Sequence, residues 1–167
     1  MTLHELNSLP RQQLSEILMA CCGSASWVKK MVSLFPADDI KTLLKNAEEQ
    51  WWFCSEEDWR EAFAHHPKIG NPESAGIKDA ISITWARNEQ AGIKGATHQT
   101  IELLTDCNYG YEKKFGYIFI VCATGRSAEE MLNALQARLK NNPAKEIGIA
   151  AAEQNKITKL RLQKLLE

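Results

Sequence analysis

An all-α fold of about eight helices in one domain, residues 1–167, is what this sequence predicts, on three observations. Apolar residues recur at three- and four-residue spacing through nearly every segment. Helix starts and stops punctuate the chain: Thr2, Ser55 and Ser127 each stand three residues before an acidic side chain, and Gly23, Pro36 and Pro67 follow helical runs. A single stretch, 117–123, has strand-like character, and one strand cannot make a sheet. At 167 residues the chain is long enough to bury a core without covalent staples.

The elements follow in order. Thr2 with Glu5 makes a capping box, and Pro10 suits the first turn of a second helix, so residues 2–21 read as helical. Leu14, Ile17, Leu18 and Cys21 share one face there, and Gly23 ends it. A helix over about 25–35 carries Trp27, Val28, Met31, Val32 and the pair Leu34-Phe35, and Pro36 stops it. The next, about 38–53, opens on Asp38-Asp39, whose charge suits the positive end of a helix. Its apolar stripe is Ile40, Leu43, Leu44, Ala47 and Trp51. Ser55 to Asp58 starts a short helix with Trp59, Ala62 and Phe63 inward, which ends at His65-His66-Pro67 because the residue before a proline disfavours helical geometry.

Residues 68–76 are rich in turn formers and read as an exposed loop. Helices follow over about 81–91, with Ile81, Trp85 and Glu89, and about 96–114, with Ile101, Leu104 and Tyr111. The 117–123 run is then a buried extended piece or part of a helix. Ser127 with Glu130 opens a helix to about Lys140, and Asn141-Asn142-Pro143 punctuates it. The last helix, about 143–166, turns Ala150, Ile157, Leu160 and Leu165 inward.

Composition excludes several classes. A net charge of −1, with no basic stripe, argues against a nucleic-acid binder, a helix-turn-helix protein included. Five cysteines, an odd number with no C-x-x-C pair, favour thiols in a reducing compartment over a disulfide framework or a structural zinc site. No apolar run approaches the ~18 residues a membrane helix needs. No basic start joined to an apolar run opens the chain, and the last four residues are not a peroxisomal address. A cytoplasmic protein without membrane association is the expectation.

Four segments carry groups suited to chemistry. His65-His66-Pro67 puts a side chain that titrates near neutral pH on a backbone that proline stiffens. Trp85 to Gln90 offers Glu89 as an acid, a base or an acceptor. The 114–123 stretch has backbone amides and carbonyls with no sheet to satisfy them, available to a planar polar ligand. Within 153–162, Arg161 has the fork geometry that clamps a carboxylate. Taken singly each reads as ordinary helix-end, surface or core residues. A metal held by His65, His66 and Glu89 is a competing reading, weakened because adjacent histidines rarely reach one ion and the H-x-x-x-H spacing is absent. A helical protein-interaction module without catalysis is the non-enzymatic alternative.

Taken together the segments resemble one family. His66-Pro67-x-Ile69-Gly70, Glu89-Gln90-x-Gly92, Asn108-x-x-Tyr111-x-x-Lys114-Phe115-Gly116, Phe119-Ile120-Val121-Cys122-Ala123-x-Gly125, and a tail from Glu146 through Glu153 and Lys156-Ile157 to Arg161-Leu162 are similar to the OHCU decarboxylases. These enzymes convert 2-oxo-4-hydroxy-4-carboxy-5-ureidoimidazoline (OHCU) to (S)-allantoin and CO2 in urate breakdown. The resemblance implies an all-helical homodimer, with neither metal nor organic cofactor and a small-molecule substrate as its ligand. It implies His66 as the catalytic histidine, chosen over His65 because it directly precedes Pro67. It implies Glu89 and Arg161 beside it, and Pro67, Ala86, Arg87, Asn88, Gln90, Phe119, Ile120, Val121, Cys122 and Ala123 around the substrate. The chain departs from the pattern at Ala86, where Ser is more usual, so one substrate hydrogen bond is missing there or supplied by water.

Overall fold

A computed structural model gives the architecture, describing residues 1–69 and 80–167, less the side chains of 80–83 and 86. Among the described residues there are nine α-helices and no β-strand: α1 (Leu3–Asn7), α2 (Arg11–Cys22), α3 (Ala25–Val32), α4 (Ile40–Trp52), α5 (Glu56–Ala64), α6 (Ala80–Glu89), α7 (His98–Phe115), α8 (Ala128–Arg138) and α9 (Pro143–Leu165), with a 3-10 turn at Ala91–Ile93. They pack as two compact units. The first holds Met1–Ala62 and Gln154–Glu167, and the second Phe63–Glu153.

The first unit is built on capped helices. Thr2 and Glu5 exchange their hydrogen bonds at the start of α1, and Ser55 and Asp58 do the same at α5. Gly23 ends α2 in a left-handed conformation, φ 83°, and Ser24 caps α3 by accepting from the Trp27 amide. The Trp27 indole N–H donates to the Ala47 carbonyl across 2.9 Å, which fixes α3 on α4. The second half of α9 docks by polar contacts. Gln154 donates to the Cys22 carbonyl, and Asn155 and Lys159 both reach the Glu48 carboxylate.

The second unit is centred on α7. Thr97 caps it by accepting from the Thr100 amide, and Gly116, φ 77°, ends it. Tyr111, Phe115, Tyr117 and Phe119 stack against one another with ring centroids 4.6–6.2 Å apart. Ser127 and Glu130 form the predicted capping box of α8.

The all-helical prediction holds, with differences at the edges. The first stretch divides into α1 and α2 near Pro10 as predicted, but Pro10 is the N-cap of α2 and not a residue of its first turn. Helix α3 stops at Val32, so Leu34 is exposed; Pro36 removes helical geometry from Phe35 and ends the run early. Ile40 begins α4 on the solvent side, 43% exposed, because the buried face of that helix is Leu43, Ala47 and Trp51. In α9 Leu162 is fully buried while Leu160 and Leu165 are half-buried. Segment 117–123 is neither strand nor helix but a connector whose Tyr117, Phe119, Ile120, Val121 and Ala123 are buried. From residue 70 onward the predicted loop at 68–76, and also the side chain of Ile81, lie outside the described residues.

Candidate active site

Helix α5 ends in the turn that carries the histidines. The His66 amide donates to the Phe63 carbonyl, closing the last turn before Pro67. His66 and Pro67 are buried, whereas His65 is exposed. Three residues of later segments hold this turn. Gln90 Nε2 donates to the Lys68 carbonyl and Asn108 Nδ2 to the Ile69 carbonyl, both long at 3.4 Å, and Lys68 Nζ lies 2.6 Å from Glu112 Oε2. The His-Pro turn, the Glu-Gln pair and α7 are thereby brought together.

Glu89 is the last residue of α6 and half-buried, and Gln90 beside it is buried. Arg87 and Asn88 are exposed; the side chain of Ala86 lies outside the described residues. The 3-10 turn that follows packs on the 123–126 bend so closely that a Cβ on Gly92 would sit 1.9 Å from the Arg126 carbonyl oxygen. That contact joins the turn after α6 to the bend that follows the 119–123 connector. Burial raises the Cys122 thiol above its usual range, with the charges of Glu153 and Glu89 adding to the effect.

The connector is anchored from behind. Arg138, at the end of α8, donates from Nη1 to the Ile120 carbonyl at 2.7 Å and lays its guanidinium 4.6 Å from the Phe119 ring centroid. Its Nε meets Glu146 Oε1 at 2.7 Å, where Tyr111 Oη also donates, at 2.6 Å, and Asn141 Nδ2 serves the other carboxylate oxygen. Two residues further along the connector, the Cys122 amide donates to Glu153 Oε2 at 2.8 Å. Sequence reasoning missed Arg138: an arginine ending an amphipathic helix carries no local signal of burial. Glu146 and Asn108 were visible only as parts of a resemblance, and Tyr111 besides that only as a residue on its helix's apolar stripe. Their roles are now physical, with Asn108 holding the His66 turn and Tyr111 the Glu146 carboxylate.

Arg161 belongs to the first unit, where it is buried and its Nη1 donates to the Ala20 carbonyl at 3.1 Å. Among the described residues no three His, Cys, Asp or Glu side chains gather as a metal site requires.

Comparison with known proteins places this arrangement. A family model described as OHCU decarboxylase matches residues 7–163. A uric acid degradation bifunctional protein of Arabidopsis thaliana is 38% identical over 146 residues, which is 87% of this chain and 45% of that protein. A 2-oxo-4-hydroxy-4-carboxy-5-ureidoimidazoline decarboxylase of Halalkalicoccus jeotgali is 25% identical over 166 residues, covering 99% of this chain and 92% of its own. Among solved structures, an OHCU decarboxylase crystallised in the presence of (S)-allantoin superposes with a TM-score of 0.75 at 38% identity, covering 89% of this chain and 95% of that one. The chain spans less than half the length of the bifunctional relatives it matches.

Proposed function

Because the chain belongs to the OHCU decarboxylase family, we propose that it decarboxylates OHCU to (S)-allantoin and CO2 in uric acid degradation. The family match over 157 positions, 7 to 163, carries the reading. In support, the second unit gathers a buried His66, the end of α6 with Glu89, and a connector whose polar backbone is held from behind.

The chemistry asks little of the protein beyond placement and proton handling. OHCU carries an imine next to the carbon that bears the hydroxyl and carboxylate. When the bond to the carboxylate breaks, its electron pair becomes a carbon–carbon double bond, and the imine π pair moves to nitrogen, which takes a proton. The resulting enol collapses to a carbonyl as the hydroxyl loses its proton and the ureido-bearing carbon gains one. The substrate is its own electron sink, so the reading includes no metal and no organic cofactor. His66 is the acid–base group at the hydroxyl and carboxylate. Glu89 holds the ring or ureido N–H groups and helps deliver the new proton to one face, which sets the (S) configuration. Arg161 pairs with anionic or carbonyl oxygen of the substrate.

Around these, Pro67, the segment Ala86, Arg87, Asn88 and Gln90, and Phe119, Ile120, Val121, Cys122 and Ala123 complete the pocket, with Phe119 and Ile120 as water-excluding walls. The reading also takes residues 1–167 as one functional domain acting as a homodimer in the cytoplasm. In support of one domain, a single family model runs through both units. No helix among the described residues is long and apolar enough to cross a membrane.

The test generates OHCU from urate with urate oxidase and the hydrolase that follows it, adds the protein in metal-free buffer, and follows circular dichroism of the allantoin formed. Fast loss of OHCU with an (S)-allantoin signal, abolished in His66→Ala, is the expected result. Decay no faster than without protein, from a folded sample, rejects the reading in favour of a helical interaction module.

A further inference from the structure

The connector at 119–123 has an unusual support. It forms no regular structure, so its backbone polar groups are not satisfied by a helix or sheet ladder. Two buried charged side chains from different helices take up that task. Arg138 brings the carbonyl of Ile120 to its Nη1, and Glu153 accepts the amide of Cys122. The two held groups lie two residues apart, with Val121 between them.

Neither side chain is placed only to make an ion pair. Glu146 already receives Tyr111 and Asn141 as well as Arg138, and Arg138 has an arm directed away from that carboxylate to Ile120. Glu153 Oε2 also lies 3.8 Å from Arg126 Nη2, a longer contact than the 2.8 Å bond from the Cys122 amide. The Arg138 guanidinium also covers the Phe119 ring. One residue thus fixes both a side-chain wall and a backbone carbonyl of the same segment.

We infer that Arg138 and Glu153 are positioning residues, which set the place of the 119–123 backbone against the substrate without touching the substrate themselves. The inference rests on the reading above, in which this connector lines the OHCU pocket. Displacing such a wall by a fraction of a bond length degrades the fit to the transition state. It also loosens control over which face of the enol is protonated.

The experiment compares wild type with Glu153→Ala, Glu153→Gln and Arg138→Lys, using melting curves, kcat and KM on fresh OHCU, and the enantiomeric composition of the allantoin. Glu153→Ala is expected to raise KM and lower kcat/KM by about ten- to a hundredfold, with some (R) product, while remaining folded at the assay temperature. Glu153→Gln keeps an oxygen for the Cys122 amide and is expected to restore both values. Arg138→Lys keeps a cation beside Glu146 but cannot also reach Ile120, and is expected to behave like Glu153→Ala; it decides the question if Glu153→Ala does not fold. A role confined to stability lowers the melting temperature and leaves KM and product handedness unchanged, and that result overturns the inference. Folded wild-type protein without activity overturns the decarboxylase reading instead. Amide exchange at Cys122, faster in Glu153→Ala but not in Glu153→Gln, then still shows whether the segment is clamped, and equal exchange in both overturns the clamp.

Discussion

Gly92 approaches the Arg126 carbonyl so closely that a Cβ would lie 1.9 Å from its oxygen. No side-chain rotation relieves that contact, because the obstacle is backbone. Gly92→Ala is therefore expected to destabilise by about 1–3 kcal/mol, the usual cost of overpacking, and to lower kcat/KM by moving the end of α6. Gly110, within α7, has nothing within 4 Å of the place a Cβ would take, and Gly110→Ala should instead stabilise by up to about 1 kcal/mol through helix propensity. Thermal melts of the two variants should shift in opposite directions.

The Glu146 carboxylate is fully buried among Tyr111, Arg138 and Asn141. Tyr111→Phe removes one of these donors and should cost about 1–3 kcal/mol. Glu146→Leu leaves the Arg138 cation buried without its carboxylate and should cost more, about 3–5 kcal/mol. Urea denaturation of both variants checks the order, and a larger loss in Tyr111→Phe would contradict it.

Alkaline pH should weaken the fold. Burial holds the Cys22 thiol far above its ordinary 9.0, and Cys54 is pushed up to about 11, again chiefly by burial. Burial, then the hydrogen bond to Glu146, raises the Tyr111 phenol above its ordinary 10.0. In each case the folded chain keeps a proton that the unfolded chain releases. The stability these groups contribute is complete below their unfolded values and falls as pH rises toward the folded ones. For the fully buried Cys22 the slope is about 1.4 kcal/mol per pH unit above 9. Urea midpoints should fall between about pH 9 and 10.5, and Cys22→Ala should flatten that fall.

Lys114 places Nζ 2.6 Å from the Leu139 carbonyl and 2.7 Å from the Asn141 carbonyl, just past the end of α8. It serves the carbonyl at the α8 C-cap and one in the turn that follows, beside the negative end of the helix. Lys114→Met should cost about 0.3–1 kcal/mol, a loss that calorimetry can resolve and that Lys114→Arg should largely avoid.

The proposed chemistry makes separable predictions. His66→Asn should lower kcat by about 10²–10⁴. Glu89→Gln should lower kcat and admit (R)-allantoin. Arg161→Lys should act mainly on KM, by about tenfold, since an ammonium cannot grip an oxygen pair as a guanidinium does. Because Arg161 also bonds the Ala20 carbonyl, its melting curve must match wild type for that assignment to stand.

The helices were legible because their signals are local. Capping pairs such as Ser127 with Glu130 and stop residues such as Gly23 act within one turn, and the structure uses them as the sequence predicts. What failed turned on packing: Leu160 and Leu162 lie about 200° apart around α9, and the side that carries Leu162 is the one the fold buries. The site was legible only in part. His66 and Pro67 could be singled out because a proline constrains the turn, and Gly92 because it completes a spaced pattern. The reason for Gly92, a carbonyl 34 positions downstream, is nowhere in its neighbourhood. Arg138 is the extreme case, since its partners Ile120, Tyr111 and Glu146 come from three other segments.

That same carboxylate has a bearing on how the second unit assembles. Glu146 on α9 receives donors from α7, from the end of α8 and from the turn between α8 and α9. A fully buried carboxylate lacking any of these is costly, so docking α9 before α7 and α8 are both in place gains little. The three elements are driven to lock in one cooperative event, with half-docked forms sparsely populated and the amides around Tyr111, Arg138 and Glu146 opening together.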